Sequence, residues 1–164
     1  MSYEIDCRIR EGADSDLLPS TLVKISSFLL PDMGDAGLRL MLSNSFLVSS
    51  DNAHAIHPNH PEFADATNAP VVNGGVVLKF NANLRYSTDG VAAALFRTVC
   101  AKADAKVQTY CNRADIPGGS TLGNISLCHV SVPSVDIGLA QLAMHSAYET
   151  AGVQDTLWLE DAME

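Results

Sequence analysis

The stretch SSDNAHAIHPNHPE at positions 49–62 brings one aspartate and three histidines together within fourteen residues. Carboxylate oxygens and imidazole nitrogens are ligands of zinc and similar divalent ions, and a catalytic zinc commonly takes three protein ligands beside a water molecule. A proline follows both His57 and His60, so no continuous helix can place the three imidazoles on one face. We therefore expect at most one of His54, His57 and His60 to contact a ligand, while the others order the loop or a subunit contact.

Asp51 and His145 occupy comparable places along the chain. Asp51 follows the apolar run SFLVSS, which predicts a buried strand, and His145 lies a few residues beyond a second predicted strand at 132–137. Open α/β sheets carry their reactive groups on loops beyond the carboxyl ends of strands, so the two side chains could converge on one metal site. Each also has an ordinary alternative, because aspartates at strand ends often bond loop amides and buried histidines often bond backbone carbonyls.

Two further polar features interrupt apolar surroundings. Lys79 lies within the predicted strand VVLKF, where its stem either follows a sheet edge or brings a positive charge into a pocket for an acidic group. The glycine-rich stretch IPGGSTLGNI at 116–125 enters a predicted helix and either holds an anion on its backbone amides or forms a tight turn at Gly118 or Gly119. It is not a phosphate loop, because the lysine of that motif is absent.

Apolar side chains recur at helical or strand spacing along most of the chain, and these periodicities predict the elements that carry the polar residues. We predict helices over 17–30, 36–42, 89–103, 140–151 and 154–163, strands over 45–50, 76–80, 107–111 and 132–137, and irregular loops over 51–75 and 112–123. Strands that alternate with helices of this length predict an α/β fold, a three-layer sandwich of helices around a mixed and largely buried sheet.

The composition excludes some classes of partner. The chain has 164 residues, of which 47% are hydrophobic, and we treat residues 1–164 as a single unit with one sizeable core. With 19 acidic and 10 basic residues its formal charge is −9, which argues against nucleic acid and anionic membranes as partners. Charges within residues 1–10 leave no apolar stretch for a signal peptide, and no run reaches the roughly 20 apolar residues of a membrane span, so we expect a cytoplasmic protein.

Four motifs occur in a specific order and spacing: FLVSSDNAHAIHPNHPE, VVLKFNANLRYSTD, NRADIPGGSTLG and VDIGLAQLAMHSAYE. Together they closely resemble motifs of the aspartyl aminopeptidases, which are cytosolic, self-assembling dizinc exopeptidases. The resemblance implies a zinc-exopeptidase-like fold with two zinc ions, for which manganese or cobalt are alternatives. It also implies peptides with an N-terminal Asp or Glu as substrates, and a homo-oligomer that is dodecameric in the family.

The same resemblance implies metal ligands at three positions. Asp51 becomes a ligand of one zinc ion, His145 a ligand of the other, and Glu4 occupies the place of a glutamate ligand. Tyr3 stands where the family has its general-base glutamate, and a phenol with a pKa of ~10 cannot act as that base near neutral pH. The upstream half of the family's catalytic domain is also missing from the sequence. We therefore expect an incomplete, C-terminal portion of a metallo-aminopeptidase catalytic domain that is inactive alone, or alternatively a non-catalytic assembly or regulatory subunit.

Substrate contacts also follow from the resemblance. Lys79 and Tyr86 become candidates for holding the acidic side chain or the termini of the substrate. His54 and His57 match histidines of the family loop that order the site or an oligomer contact. The pocket wall is assigned to the loop of Gly118, Gly119, Ser120 and Thr121.

Overall fold

A computed structural model describes residues 11–120 and 122–164 of the protein, so Tyr3, Glu4 and Thr121 lie outside the described residues. The helices are α1 (Leu17–Leu29), α2 (Gly34–Ser43), α3 (Gly90–Lys102), α4 (Leu122–Ser126) and α5 (Val153–Met163). The strands are β1 (Leu47–Ser50), β2 (Ala53–His54), β3 (Val76–Phe80), β4 (Val107–Cys111), β5 (Ser134–Gly138), β6 (Ala140–Leu142) and β7 (Thr150–Ala151). Among the described residues, no helix has both the length and the apolarity needed to cross a bilayer.

The main sheet is mixed and has the strand order β1-β5-β3-β4. β5 runs parallel to β1 and antiparallel to β3, while β3 runs parallel to β4. The inner strands β3 and β5 are buried along almost their whole length, although each carries one charged residue. The edge strand β1 is less buried than its sequence predicts, since only Ser49 in it is fully buried.

Alternation along the inner strands gives the two faces of the main sheet different roles. Leu78 of β3 and Val135 and Ile137 of β5 pack with Phe96 of α3 in the principal core. The residues between them therefore point to the opposite face. On that face a smaller cluster gathers Val77 and Tyr110 with Tyr86, which lies in the loop before α3. The charged residues of β3 and β5 are Lys79 and Asp136, and both belong to this second face by the same alternation.

A small second sheet joins β2, β6 and β7 beside the main one. The chain passes from β1 into β2, and from β5 into β6, along parallel paths that are tied by bonds from Asp51 N to Ile137 O and from Ala53 N to Leu139 O, both 2.8–2.9 Å. The two paths come closest at Gly138, where an added Cβ would overlap the carbonyl oxygen of Asp51. Asp51 is thus placed at the junction of the two sheets.

Most predicted elements are confirmed. The predicted strands at 76–80 and 107–111 are β3 and β4 residue for residue, and four of the five predicted helices end within two residues of α1, α2, α3 and α5. The predicted helix at 140–151 is wrong. This segment forms β6, a turn and β7, because its ends pair with β2 and with each other, and because Ala143 and His145 have positive φ angles of 55° and 69°. Long-range strand pairing here overrides the local helical periodicity.

Candidate functional site

A cavity of about 530 Å³ lies on the second face of the main sheet, next to the small sheet. All four motifs found in the sequence contribute to its lining. Its polar and aromatic lining includes Asn52, His54, His57, His60, Lys79, Tyr86, Tyr110, Asn112, Arg113, Ser120, Gln141 and His145. The main chain of Gly119 also borders the cavity. Motifs that are distant in the sequence therefore surround one space.

Asp51 lies beside this cavity, and the neighbouring Asn52 lines it. The carboxylate of Asp51 is 41% exposed, and its Oδ2 is 3.8 Å from Nζ of Lys79. Because the main chain of Asp51 is fixed against Gly138, the position of this carboxylate is set by the junction between the two sheets. It is therefore held by the fold and remains accessible.

Lys79 lies at the floor of the cavity and is only 1% exposed. Its Nζ donates to the carbonyl oxygens of Asp51 at 3.1 Å and Asn52 at 3.4 Å, and lies 4.8 Å from the centre of the Tyr86 ring. Burial lowers the pKa of Lys79 from its ordinary value, and the carboxylates of Asp51 and Asp136 oppose this shift. Since β3 is an inner strand, the alternative in which Lys79 follows a sheet edge is wrong.

His54 is the common neighbour of the predicted metal ligands. Its pKa is lowered from the ordinary value, first by partial burial, then by the nearby His145 and Lys79, while Asp51 acts in the opposite direction. His145 follows β6 in an exposed turn, where its backbone N–H donates to Glu149 Oε1 at 2.6 Å. The structure therefore brings Asp51, His54, Lys79 and His145 into one electrostatic neighbourhood.

His57 and His60 lie at the rim of the cavity and interact within their own loop. The Nδ1 of His57 accepts a bond from the N–H of Asn59 at 3.2 Å, and the two imidazole rings are 5.5 Å apart. His60 Nδ1 lies 3.0 Å from Glu62 Oε1, and its ring is 5.7 Å from that of Phe63. These contacts give both histidines a role in ordering the loop, and the number of histidines that meet a ligand stays a prediction.

Tyr110 and Asn112 line the cavity, although the sequence did not single them out. The rings of Tyr86 and Tyr110 are 6.1 Å apart, and Asn112 donates to the Tyr110 hydroxyl at 2.9 Å and accepts from Asn81 at 3.0 Å. Burial raises the pKa of Tyr110 well above its usual range, so its hydroxyl stays protonated. The available signal was strand alternation, since Tyr110 pairs with Lys79 in the parallel register and must share its face.

The described residues do not fit a complete metal site. A catalytic zinc takes three protein ligands, but among the described residues no three His, Cys, Asp or Glu side chains lie close enough together to hold an ion. The ammonium of Lys79 also lies beside the Asp51 carboxylate, where it provides part of the positive charge that an ion would supply. Asp51, His54 and His145 are thus potential metal ligands near the cavity that do not form a group of three within the described residues.

Comparison with protein families matches residues 2–162 to the aminopeptidase I zinc metalloprotease (M18) family. The chain is 44% identical over 152 residues to a probable M18 family aminopeptidase 2 of Clostridium novyi, a match that covers 93% of this chain and 35% of the relative. The chain spans about a third of the length of the curated relatives it matches.

Solved structures give the same result for the fold. A cryo-electron-microscopy structure of the Ape4 and Nbr1 complex matches 96% of this chain and 30% of its own, with a TM-score of 0.89 and 34% identity. The structure of the S. cerevisiae mApe1 dodecamer matches 98% of this chain and 35% of its own, with a TM-score of 0.81 and 30% identity. The α/β fold with a mixed sheet is therefore shared along nearly the whole chain.

Proposed function

The chain belongs to the aminopeptidase I zinc metalloprotease (M18) family, a family of hydrolases, and from this premise we propose that it forms part of a zinc-dependent aminopeptidase acting on peptides with acidic N-terminal residues. One observation carries the proposal. The four motifs that resemble aspartyl aminopeptidases line or border one cavity of about 530 Å³, which is large enough for the end of a peptide.

In this proposal Asp51 and His145 contribute to a site for two zinc ions, with manganese or cobalt as alternatives. Their common neighbour His54 supports the idea that they serve one site. Because the described residues contain no complete set of ligands, the remaining ligands come from elsewhere, including Glu4. The polypeptide alone therefore binds metal weakly and does not turn over substrate.

Lys79 is the residue that we propose selects acidic substrates. Its buried ammonium places a positive charge at the floor of the cavity, where the exposure to water is too small to screen it strongly. An entering carboxylate also meets Tyr86 and Tyr110, whose hydroxyl groups stay protonated because burial raises the pKa of both. Gly119 and Ser120 belong to another wall of the cavity in this proposal, next to Gly118, and His54 and His57 lie at the entrance.

We further propose that the working enzyme is a cytoplasmic homo-oligomer. The support is the match to the S. cerevisiae mApe1 structure, which is a dodecamer. The strongly acidic composition also fits an enzyme that works without nucleic-acid or membrane partners.

The test compares the chain alone with a chimera in which it replaces the matching segment of the Clostridium novyi relative. Both are assayed with aspartyl, glutamyl and leucyl fluorogenic substrates in the presence of zinc, manganese or cobalt. We expect turnover of the two acidic substrates by the chimera and none by the chain alone. Turnover by the pure chain contradicts the proposed inactivity, and a chimera that prefers the leucyl substrate contradicts the acidic specificity.

Variants assign the individual residues within the chimera. Asp51→Asn and His145→Gln should each remove bound zinc and activity, whereas the control His129→Gln, whose imidazole bonds Asp14 outside the cavity lining, should keep both. Lys79→Met should reduce the preference for acidic over neutral substrates. Its control is Lys106→Met, because Lys106 lies 5.2 Å from the Trp158 ring, outside the cavity lining.

The alternative function is a non-catalytic assembly or regulatory subunit. The observation that favours it is the lack of a complete ligand group within the described residues. A chimera that folds, assembles and binds zinc yet turns over none of the substrates favours this alternative.

A further inference from the structure

Asp136 is a fully buried carboxylate next to the cavity, and the sequence motifs did not mark it as a site residue. Its neighbours in β5, Val135 and Ile137, belong to the principal core on one face of the sheet. Asp136 therefore points to the opposite face, which carries Lys79 and the cavity. A carboxylate is costly to bury unless hydrogen bonds or a counter-charge compensate it, so its partners indicate what it does.

The first partner of Asp136 is the segment between β3 and α3. Oδ2 of Asp136 accepts bonds from both the backbone N–H and the hydroxyl of Ser87, the latter at 2.8 Å. The backbone N–H of Asp136 donates to the Thr88 hydroxyl at 2.8 Å, and this hydroxyl lies 3.4 Å from the Asp136 carbonyl oxygen. Residues 87 and 88 are thus fixed to β5 through both the side chain and the main chain of Asp136.

This attachment determines where Tyr86 lies. Tyr86 directly precedes Ser87 and is only 6% exposed, with its ring facing Lys79 at 4.8 Å and Tyr110 at 6.1 Å. The segment from Asn81 to Arg85 is largely exposed, so it packs weakly against the rest of the protein. The bonds from Ser87 to Asp136 therefore anchor the cavity wall that Tyr86 forms.

The second partner of Asp136 is α4. A Cβ on Gly123 would lie 2.6 and 2.7 Å from the two carboxylate oxygens of Asp136 and 2.7 Å from the Ser87 hydroxyl, so the backbone of α4 rests directly on this group. Ser120 is joined to the same helix through bonds of 2.8 and 3.1 Å with Asn124. Gly119 and Ser120 line the cavity. The Asp136 carboxylate therefore contacts both the segment that carries Tyr86 and the helix that holds Ser120.

We propose that Asp136 is a positioning residue that fixes the Tyr86 wall and the Gly119–Ser120 wall relative to Lys79, and so sets the width of the substrate cavity. Asp136 acts through Ser87 and Gly123 and does not itself contact the substrate. The consequence for catalysis rests on the proposed function. The consequence for the position of Tyr86 does not, because it concerns the folded chain alone.

The first experiment uses the full chain with 3-fluorotyrosine at its four tyrosines, and follows the ¹⁹F resonances of Tyr86 and Tyr110. Asp136→Ala should move or broaden the Tyr86 resonance, while Asp136→Asn, which keeps an acceptor for Ser87, should restore most of its position. Asp155→Asn is the matched control, because Asp155 is equally buried but bonds the start of β3 instead. It should leave the Tyr86 resonance in place.

Ser87→Ala keeps the experiment decisive if Asp136→Ala does not fold, since it removes only one hydroxyl bond and should move the same resonance. A folded Ser87→Ala or Asp136→Ala protein with an unchanged Tyr86 resonance overturns the proposal. A Tyr86 resonance that moves as far in Asp155→Asn as in Asp136→Ala overturns it as well, because it indicates general loosening of the fold.

The second experiment uses the chimera and separates KM from kcat. Ser87→Ala should raise KM for the aspartyl substrate about tenfold and change kcat less than about twofold, as expected for a residue that shapes the binding cavity. A loss confined to kcat contradicts the positioning role. A chimera that is inactive without any substitution counts against the proposed function, and the ¹⁹F result then still decides the role of Asp136.

Discussion

Two fully buried aspartates, Asp136 and Asp155, support different parts of the molecule in different ways. Asp155, in the first turn of α5, accepts bonds from the backbone N–H groups of Asn73 at 2.7 Å and Gly75 at 2.8 Å. Asp136 accepts from a serine in a cavity wall. Asp155 therefore fixes the path of the main chain before β3. Asp136 instead fixes the segment that carries Tyr86, and with it the shape of the cavity.

The surroundings of the two aspartates reinforce this difference. The turn at 71–75 has a second support, because the Gln108 side chain bonds Val71 N, Val71 O and Gly75 O at 2.8–3.0 Å. In the wall around Tyr86, the main-chain attachment to β5 runs through Asp136, which bonds Ser87 and Thr88. Substitutions of Asp155 and its partners should therefore change the free energy of unfolding. Substitutions of Asp136 and its partners should change the shape of the cavity.

The largest expected effect is that of Asp155→Ala. It leaves the N–H groups of Asn73 and Gly75 without their acceptor, and because Gly75 N–H is buried, the free energy of unfolding should fall by about 3–5 kcal/mol. Urea denaturation measures this change. The control Asp161→Ala, at an exposed position of the same helix, should stay within about 0.5 kcal/mol. A loss below about 1 kcal/mol for Asp155→Ala contradicts the proposed role of Asp155 in stability.

Gly75→Ala should be the next most destabilising change. Gly75 has a φ of +124°, and an added Cβ would lie 2.5 Å from the backbone of Lys106. Strain and overlap together should reduce the free energy of unfolding by about 2–4 kcal/mol in thermal or urea denaturation. Gly90→Ala is the control, because a Cβ there meets no atom within 4 Å and the site begins α3. Similar losses for the two variants would show that the tight turn at 75 is unimportant.

Gln108→Ala should have a moderate effect. It removes three bonds, but the two to Val71 are exposed and can be replaced by water, so we expect a loss of about 1–2 kcal/mol. In the fluorinated chain the Tyr86 resonance should not move. A shifted Tyr86 resonance in this variant would show that the turn at 71–75 and the wall around Tyr86 are coupled. It would contradict the view that the two regions are supported independently.

The smallest expected effect concerns an exposed carboxylate, Asp65, and depends on pH. Hydrogen bonds from Thr67 and Asn68, first of all from their backbone N–H groups, hold the pKa of Asp65 below its ordinary value of 3.8. A lowered folded pKa gives stability that is present above the unfolded pKa and is lost as the pH falls through the folded pKa. Wild type should therefore be slightly more stable than Asp65→Ala at pH 6, and the difference should shrink below pH ~4. A difference that is constant with pH excludes this origin.

The strands and helices of the main sheet could be predicted from the sequence because each is specified locally. VVLKF and VQTYC form β3 and β4 with the predicted bounds, and the spacing in α1 and α3 is helical. The segment at 140–151 could not be predicted, since β6 and β7 are two or three residues long and exist only through pairing with β2 and with each other.

The candidate site divides along similar lines. The resemblance led to Lys79 and Tyr86, and the structure places both in the cavity lining. Asp136 was missed, although SVDIG poses the same question as VVLKF, a charge within an apolar strand. The sequence could raise that question but could not give its answer, because the partners Ser87 and Gly123 are brought together only by the fold.

The contact between Gly138 and Asp51 means that the most position-sensitive residue near the candidate metal ligand has no functional group at all. Any side chain at 138 would push the two neighbouring backbones apart and carry the Asp51 carboxylate away from Lys79. The absence of a side chain at 138 thus sets the distance between the two neighbouring chain segments. Adding a single methyl group there would displace the site although every polar side chain stays the same.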